Sequence, residues 1–108
     1  MSLTRGRVRA GRVEDFAQDS MTALKVDGRE VLLVYQNGVF YALEDRCTHD
    51  NGILHDGELL DGAVKCERHG AKFDLETGRP TMPAVKKIRL YQTEVEGDAV
   101  YIVYQQSF

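Results

Sequence analysis

Apolar residues fall in short runs, and polar dipeptides carrying glycine separate them. Val31–Tyr35 is a continuous apolar run. Val39–Leu43 and Val100–Tyr104 are rich in aromatic and branched side chains, and Thr22–Val26 alternates moderately. All four read as β-strands. Ala63–Lys65 and Tyr91–Val95 carry weaker strand patterns, and Val8–Ala10 predicts an opening strand. Asp27-Gly28, Asn37-Gly38, Asp61-Gly62 and Gly97-Asp98 are tight-turn dipeptides. No helical period is sustained over about ten residues, although Val13–Phe16 can form one short turn that Glu14 and Asp15 would start. Short strands joined by tight turns predict an all-β chain, an antiparallel sandwich or small barrel.

Residues 44–80 break this pattern. They hold few branched residues, five glycines, both cysteines and all three histidines. Nine acidic side chains face five basic ones there, a local net of −4, while the rest of the chain sums to +1. A loop-rich insert in a strand scaffold is where function is expected.

The whole chain has 108 residues and a formal net charge of −3. That size predicts a single domain spanning 1–108. So mild an acidity argues against coating nucleic acid or an anionic membrane. No apolar run approaches the about 20 residues that span a bilayer. Met1 to Gly11 carries arginines but no apolar stretch after them, so no secretory signal is expected and the setting is read as cytoplasmic. In a reducing compartment, cysteines more often bind metal or do chemistry than form structural disulfides.

The two cysteines each stand beside a histidine. Cys47-Thr48-His49 is followed by sixteen residues and then Cys66-Glu67-Arg68-His69. Two short chelating pairs on two loops offer thiolate and imidazole donors, which suit iron–sulfur or zinc. Gly52, Gly57 and Gly70 would let the backbone approach a bound centre closely. Zinc pairs usually have wider spacing than C-x-H, which weighs against a zinc-stabilised binding module. A Cys47–Cys66 disulfide would leave both histidines unexplained. His55 has no partner at ligand spacing and reads as a surface loop residue. Phe73 reads as a packing residue, and Arg5, Arg7, Arg9 and Arg12 as a solvated edge strand.

The C-x-H and C-x2-H pairs, together with His69-Gly70, Phe73-Asp74, Thr77-Gly78 and Pro83, resemble the Rieske family. The likeness covers essentially the whole chain, and within the family the chain is similar to the small soluble ferredoxins of bacterial ring-hydroxylating oxygenase systems. It implies a Rieske-type antiparallel β-sandwich with a loop-rich cluster-binding subdomain over about 44–80. It also implies one [2Fe–2S] cluster per chain, with Cys47 and Cys66 on the inner iron and His49 and His69 on the outer, solvent-facing iron. Two neutral rings in place of two thiolates make the centre less negative and easier to reduce.

High-potential relatives carry a Ser and a Tyr where this chain has Ala71 and Phe73. Without those hydroxyl donors, and with the local acid excess, the potential is expected near the lower end of the Rieske range, about −150 mV. The extra loop cysteines of respiratory relatives are absent as well. Met82 and Pro83 fall where the family has a third loop, which would shield the cluster; otherwise they only end a strand.

The resemblance implies a one-electron carrier between a flavin-dependent reductase and a terminal oxygenase, docking transiently and acting as a monomer. The acidic insert would be the docking surface for a basic patch. The chain has no dinucleotide fingerprint or P-loop, so it cannot draw on NAD(P)H unaided. Nor can it be the oxygenase, because beyond the four candidate ligands only His55 remains for a mononuclear iron site. A small Rieske subunit of a nitrite reductase-like enzyme is the alternative that shares the same motif.

Overall fold

The computed structural model describes residues 3–46, 53–67, 70–82, 84 and 86–107, with the side chains of residues 3–5 and 105–107 left aside. Among the described residues the chain is all-β and antiparallel, as expected. The strands are β1 (Leu3–Arg12), β2 (Ser20–Val26), β3 (Arg29–Gln36), β4 (Val39–Glu44), β5 (Glu58–Leu60), β6 (Ala63–Lys65), β7 (Lys72–Asp74), β8 (Leu90–Glu96) and β9 (Ala99–Ser107). One sheet runs β1-β9-β8-β4-β3-β2, and a smaller one runs β5-β6-β7. Short 3₁₀ turns occur at Val13–Asp15 and Leu54–Asp56.

β3 explains how the two sheets share a core. Its run Val31, Leu32, Leu33, Val34 is buried throughout, so the sequence shows no polar alternation. The period of two is still present in the packing. Leu32 and Val34 join Leu43, Leu54, Val64, Cys66, Ala71 and Phe73 in one apolar cluster. Val31 and Leu33 join Val26, Phe40, Ala42, Val100 and Ile102 in the other. β3 is therefore a wall with a core on each face, and the face bearing Leu32 and Val34 carries the small sheet.

The β2–β3 turn needs Asp27 at φ 52° and Gly28 at φ 77°; the β3–β4 turn needs Asn37 at 53° and Gly38 at 75°. These left-handed pairs match the primed hairpin turns that suit twisted strands. Val13–Asp15 forms the short turn expected near Val13–Phe16.

Three expectations are corrected. β1 is longer than Val8–Ala10, because its backbone pairs along β9 from Leu3↔Ser107 to Arg12↔Ala99, past an irregularity between Arg9 and Gly11. Its arginines do lie on a sheet edge, but two of them are paired. Arg7 donates to Glu94 at 3.2 Å and Glu96 at 2.9 Å, and lies 3.9 Å from the centroid of Tyr101. Arg12 donates to Asp98 at 3.0 Å and pairs with Glu14 at 2.8 Å. Finally, the insert contains β5 and β7, which the sequence pattern did not show.

Gln36 joins the sheets. It is buried at the end of β3, where its amide donates to the Leu60 carbonyl at 3.0 Å and its side-chain oxygen accepts from the Gly62 N–H at 2.8 Å. Both halves of the amide are thus used on the β5–β6 turn.

Candidate metal centre

Of the four expected ligands, Cys66 is among the described residues; Cys47, His49 and His69 lie outside them, as do Gly52 and Pro83. Cys66 is 2% exposed and is a free cysteine. It follows β6 directly. The Cys66 N–H donates to the Ala71 carbonyl at 2.7 Å, and the Gly70 N–H donates to the Cys66 carbonyl at 3.2 Å. Gly70 has φ 76°, a conformation that favours glycine. These bonds close the loop between β6 and β7, where Lys65 pairs with Lys72. The second motif pair, Cys66 and His69, falls in that closed loop.

The first pair falls between the end of β4 and the turn Leu54–Asp56, and two contacts fix the stem of this loop. Asp45 follows β4 and its side chain is 2% exposed. Its carboxylate accepts from the His55 backbone N–H at 2.8 Å and contacts His55 Nδ1 at 2.6 Å. The Asp45 N–H donates to the Glu30 carbonyl at 3.1 Å. Leu54, next in the chain to His55, is buried in the same cluster as Cys66.

His55 is therefore more than a surface loop residue. Its ring is 38% exposed, and Asp56 stands 3.6 Å from Nε2. The hydrogen bond to Asp45 raises the His55 pKa above its ordinary 6.5, reinforced by the charges of Asp45, Asp56 and Glu30 and opposed by partial burial.

The two loop stems meet at Gly57. A side chain there would run into the Lys65 carbonyl, so the glycine permits contact between the chain leaving the first loop and the strand entering the second. The close approach that the glycine permits here is to the Lys65 backbone. Asp56, Gly57 and Glu58 from one stem and Lys65, Cys66 and Glu67 from the other line a cleft of about 250 Å³.

Ala71 and Phe73 are fully buried beside Cys66 in the apolar cluster. Phe73 packs as expected. Met82 is in a turn and 76% exposed, so it does not end a strand. A larger cleft of about 510 Å³ gathers Lys25, Arg29, Arg46 and Arg89 against Glu30 and Glu44. The sequence reading of an acidic insert did not anticipate this cationic surface beside the first loop.

Among the described residues, no three His, Cys, Asp or Glu side chains cluster as a metal site. The donor chemistry that is described fits an iron–sulfur group: a buried unpaired thiol, a backbone-closed loop and an apolar wall.

Comparison with known proteins agrees with this chemistry. Residues 6–100 match the family model of the Rieske [2Fe-2S] domain. The 3-phenylpropionate/cinnamic acid dioxygenase ferredoxin subunit of Shigella boydii is 39% identical over 83 residues, 74% of this chain and 78% of that relative. The corresponding subunit of Escherichia coli K12 has the same identity and coverage. Among solved structures, the ferredoxin of carbazole 1,9a-dioxygenase from Nocardioides aromaticivorans superposes with a TM-score of 0.85 at 30% identity, covering 89% of this chain and 95% of that one. A complex of reduced oxygenase and oxidized ferredoxin in carbazole 1,9a-dioxygenase gives a TM-score of 0.84 at 26% identity, covering 89% and 91%. These relatives favour neither a zinc module nor a nitrite reductase subunit. Among the described residues, no helix is long and apolar enough to cross a membrane. The chain belongs to the Rieske [2Fe–2S] family, as a ferredoxin-type electron carrier with one such cluster.

Proposed function

We propose that Cys47, His49, Cys66 and His69 hold the cluster, and that the chain, acting as one domain over 1–108, ferries single electrons from a flavin-dependent reductase to the terminal oxygenase of a ring-hydroxylating system. The supporting observation is the meeting of the two loop stems at Gly57 and Lys65, with Cys66 lining their shared cleft. Loops anchored side by side can present their tips to one bound group. The bound cluster supplies a one-electron redox centre.

The chain's own residues do the remaining work. Cys66 offers a thiolate from inside the apolar cluster, where water is excluded. The hydrogen bonds between Cys66, Gly70 and Ala71 hold the second loop in its closed shape without a disulfide. Asp45 and His55 close the stem of the first loop. Ala71 and Phe73 line the cluster side with groups that donate no hydrogen bond from a side chain, which keeps the reduced state less stabilised. The chain works as a monomer in the cytoplasm, meeting its partners only transiently.

Reconstitution tests this function. Mixing the reduced protein with a candidate terminal oxygenase should reoxidise it within the turnover time and support substrate hydroxylation. Purification as a stable complex with a large reductase, without transfer to any oxygenase, would contradict it. His69→Cys should lower the midpoint potential if the cluster assembles; an unchanged potential removes His69 from the ligand set.

A further inference from the structure

We infer that Asp45 and His55 form a latch that positions the first ligand loop, making His55 a positioning residue for the cluster. The inference rests on the proposal that Cys47 and His49 are ligands.

The latch sits where the loop begins and ends. Asp45 stands two positions before Cys47, and His55 six after His49. The carboxylate uses both oxygens on one residue, Oδ1 on the His55 backbone N–H at 2.8 Å and Oδ2 on ring Nδ1 at 2.6 Å. A buried carboxylate is costly unless its lone pairs are taken. Asp45 meets that demand with a partner from the far end of the loop, so satisfying the charge and closing the loop are one event. Two flanking contacts keep the latch in register. The Asp45 N–H is held by the Glu30 carbonyl of β3, and Leu54 is locked in the cluster that contains Cys66. An error in the latch therefore moves the first ligand pair relative to the second.

Outer groups that orient ligands typically contribute about 10–100-fold in metal affinity. His55→Phe removes the ring donor and keeps the size at a partly exposed position. His55→Asn keeps an amide N–H near the place of Nδ1. The test uses the holoprotein and follows the rate of cluster loss to a chelator and the EPR spectrum of the reduced form. His55→Phe should lose its cluster about tenfold faster with a shifted or broadened spectrum, and His55→Asn should restore both. If His55→Phe yields no folded holoprotein, His55→Gln, whose amide reaches one methylene too far, should show the same loss in weaker form.

Wild-type rate and spectrum in His55→Phe, or in His55→Gln where that variant takes its place, would overturn the latch. So would an equally fast loss in His55→Asn. Wild-type protein without iron would instead overturn the ligand assignment, so the two failures are distinguishable.

Discussion

Gln36 holds the Gly62 N–H at 2.8 Å through its side-chain oxygen while its amide nitrogen donates to Leu60, one turn of the small sheet held by one buried side chain. Replacing Gln36 by Leu keeps the volume and strands a donor and an acceptor. Unsatisfied buried groups cost about 1–3 kcal/mol each, so Gln36→Leu should lower stability by at least about 1 kcal/mol. Chemical denaturation measures this, and a wild-type midpoint would show that the bridge contributes nothing.

His55 makes stability depend on pH in one direction. Its pKa in the folded chain is raised above 6.5, chiefly by the hydrogen bond to Asp45, with Asp56 and Glu30 adding negative charge nearby. A group with a raised folded pKa stabilises fully below its unfolded value and loses that contribution as pH climbs through the folded value. Thermal stability should therefore fall on the alkaline side of 6.5. The fall should flatten in His55→Asn, which cannot titrate. Melts of both proteins across neutral to mildly alkaline pH would show equal slopes if the pair carried no charge interaction.

Asp74 acts in the opposite sense. Its Oδ1 accepts from the Glu76 N–H at 2.8 Å and the Thr77 N–H at 3.0 Å, and these bonds hold its pKa below the ordinary 3.8. The contribution is present above that ordinary value and lost as pH drops through the lowered one. Asp74→Ala should cost about 1 kcal/mol at neutral pH and reduce the acid sensitivity. Asp74→Asn, which retains an acceptor, should cost less. Identical acid denaturation of wild type and Asp74→Ala would refute the assignment.

Ala71 and Phe73 set the expected potential. Neither side chain can donate a hydrogen bond, and both are buried beside Cys66. The midpoint should lie near about −150 mV, and Ala71→Ser should raise it. Voltammetry decides, and a wild-type midpoint above about +100 mV contradicts the argument.

The scaffold was legible wherever local chemistry decides structure. β2, β3, β4 and β9 follow from apolar runs, and the turns at Asp27-Gly28 and Asn37-Gly38 from residues that tolerate positive φ. β5 and β7 were not, since Glu58-Leu59-Leu60 and Lys72-Phe73-Asp74 are too short to show a period. Only pairing to β6 makes them strands. The ligand pattern was legible because the spacing of Cys and His is itself the chemistry. The partnership of His55 with Asp45 was not, because ten residues separate them and loop closure alone brings them together. The contact of Gly57 with the Lys65 carbonyl was not legible either, because it arises only where the two loop stems meet.

The most direct test of the account is iron and acid-labile sulfide analysis of the anaerobically purified chain, joined to EPR of its reduced form. The account predicts about two iron and two sulfide per chain, with a mixed sulfur–nitrogen ligand signature that Cys66→Ser abolishes. A colourless protein without labile sulfide, or one whose cluster survives Cys66→Ser unchanged, would contradict it.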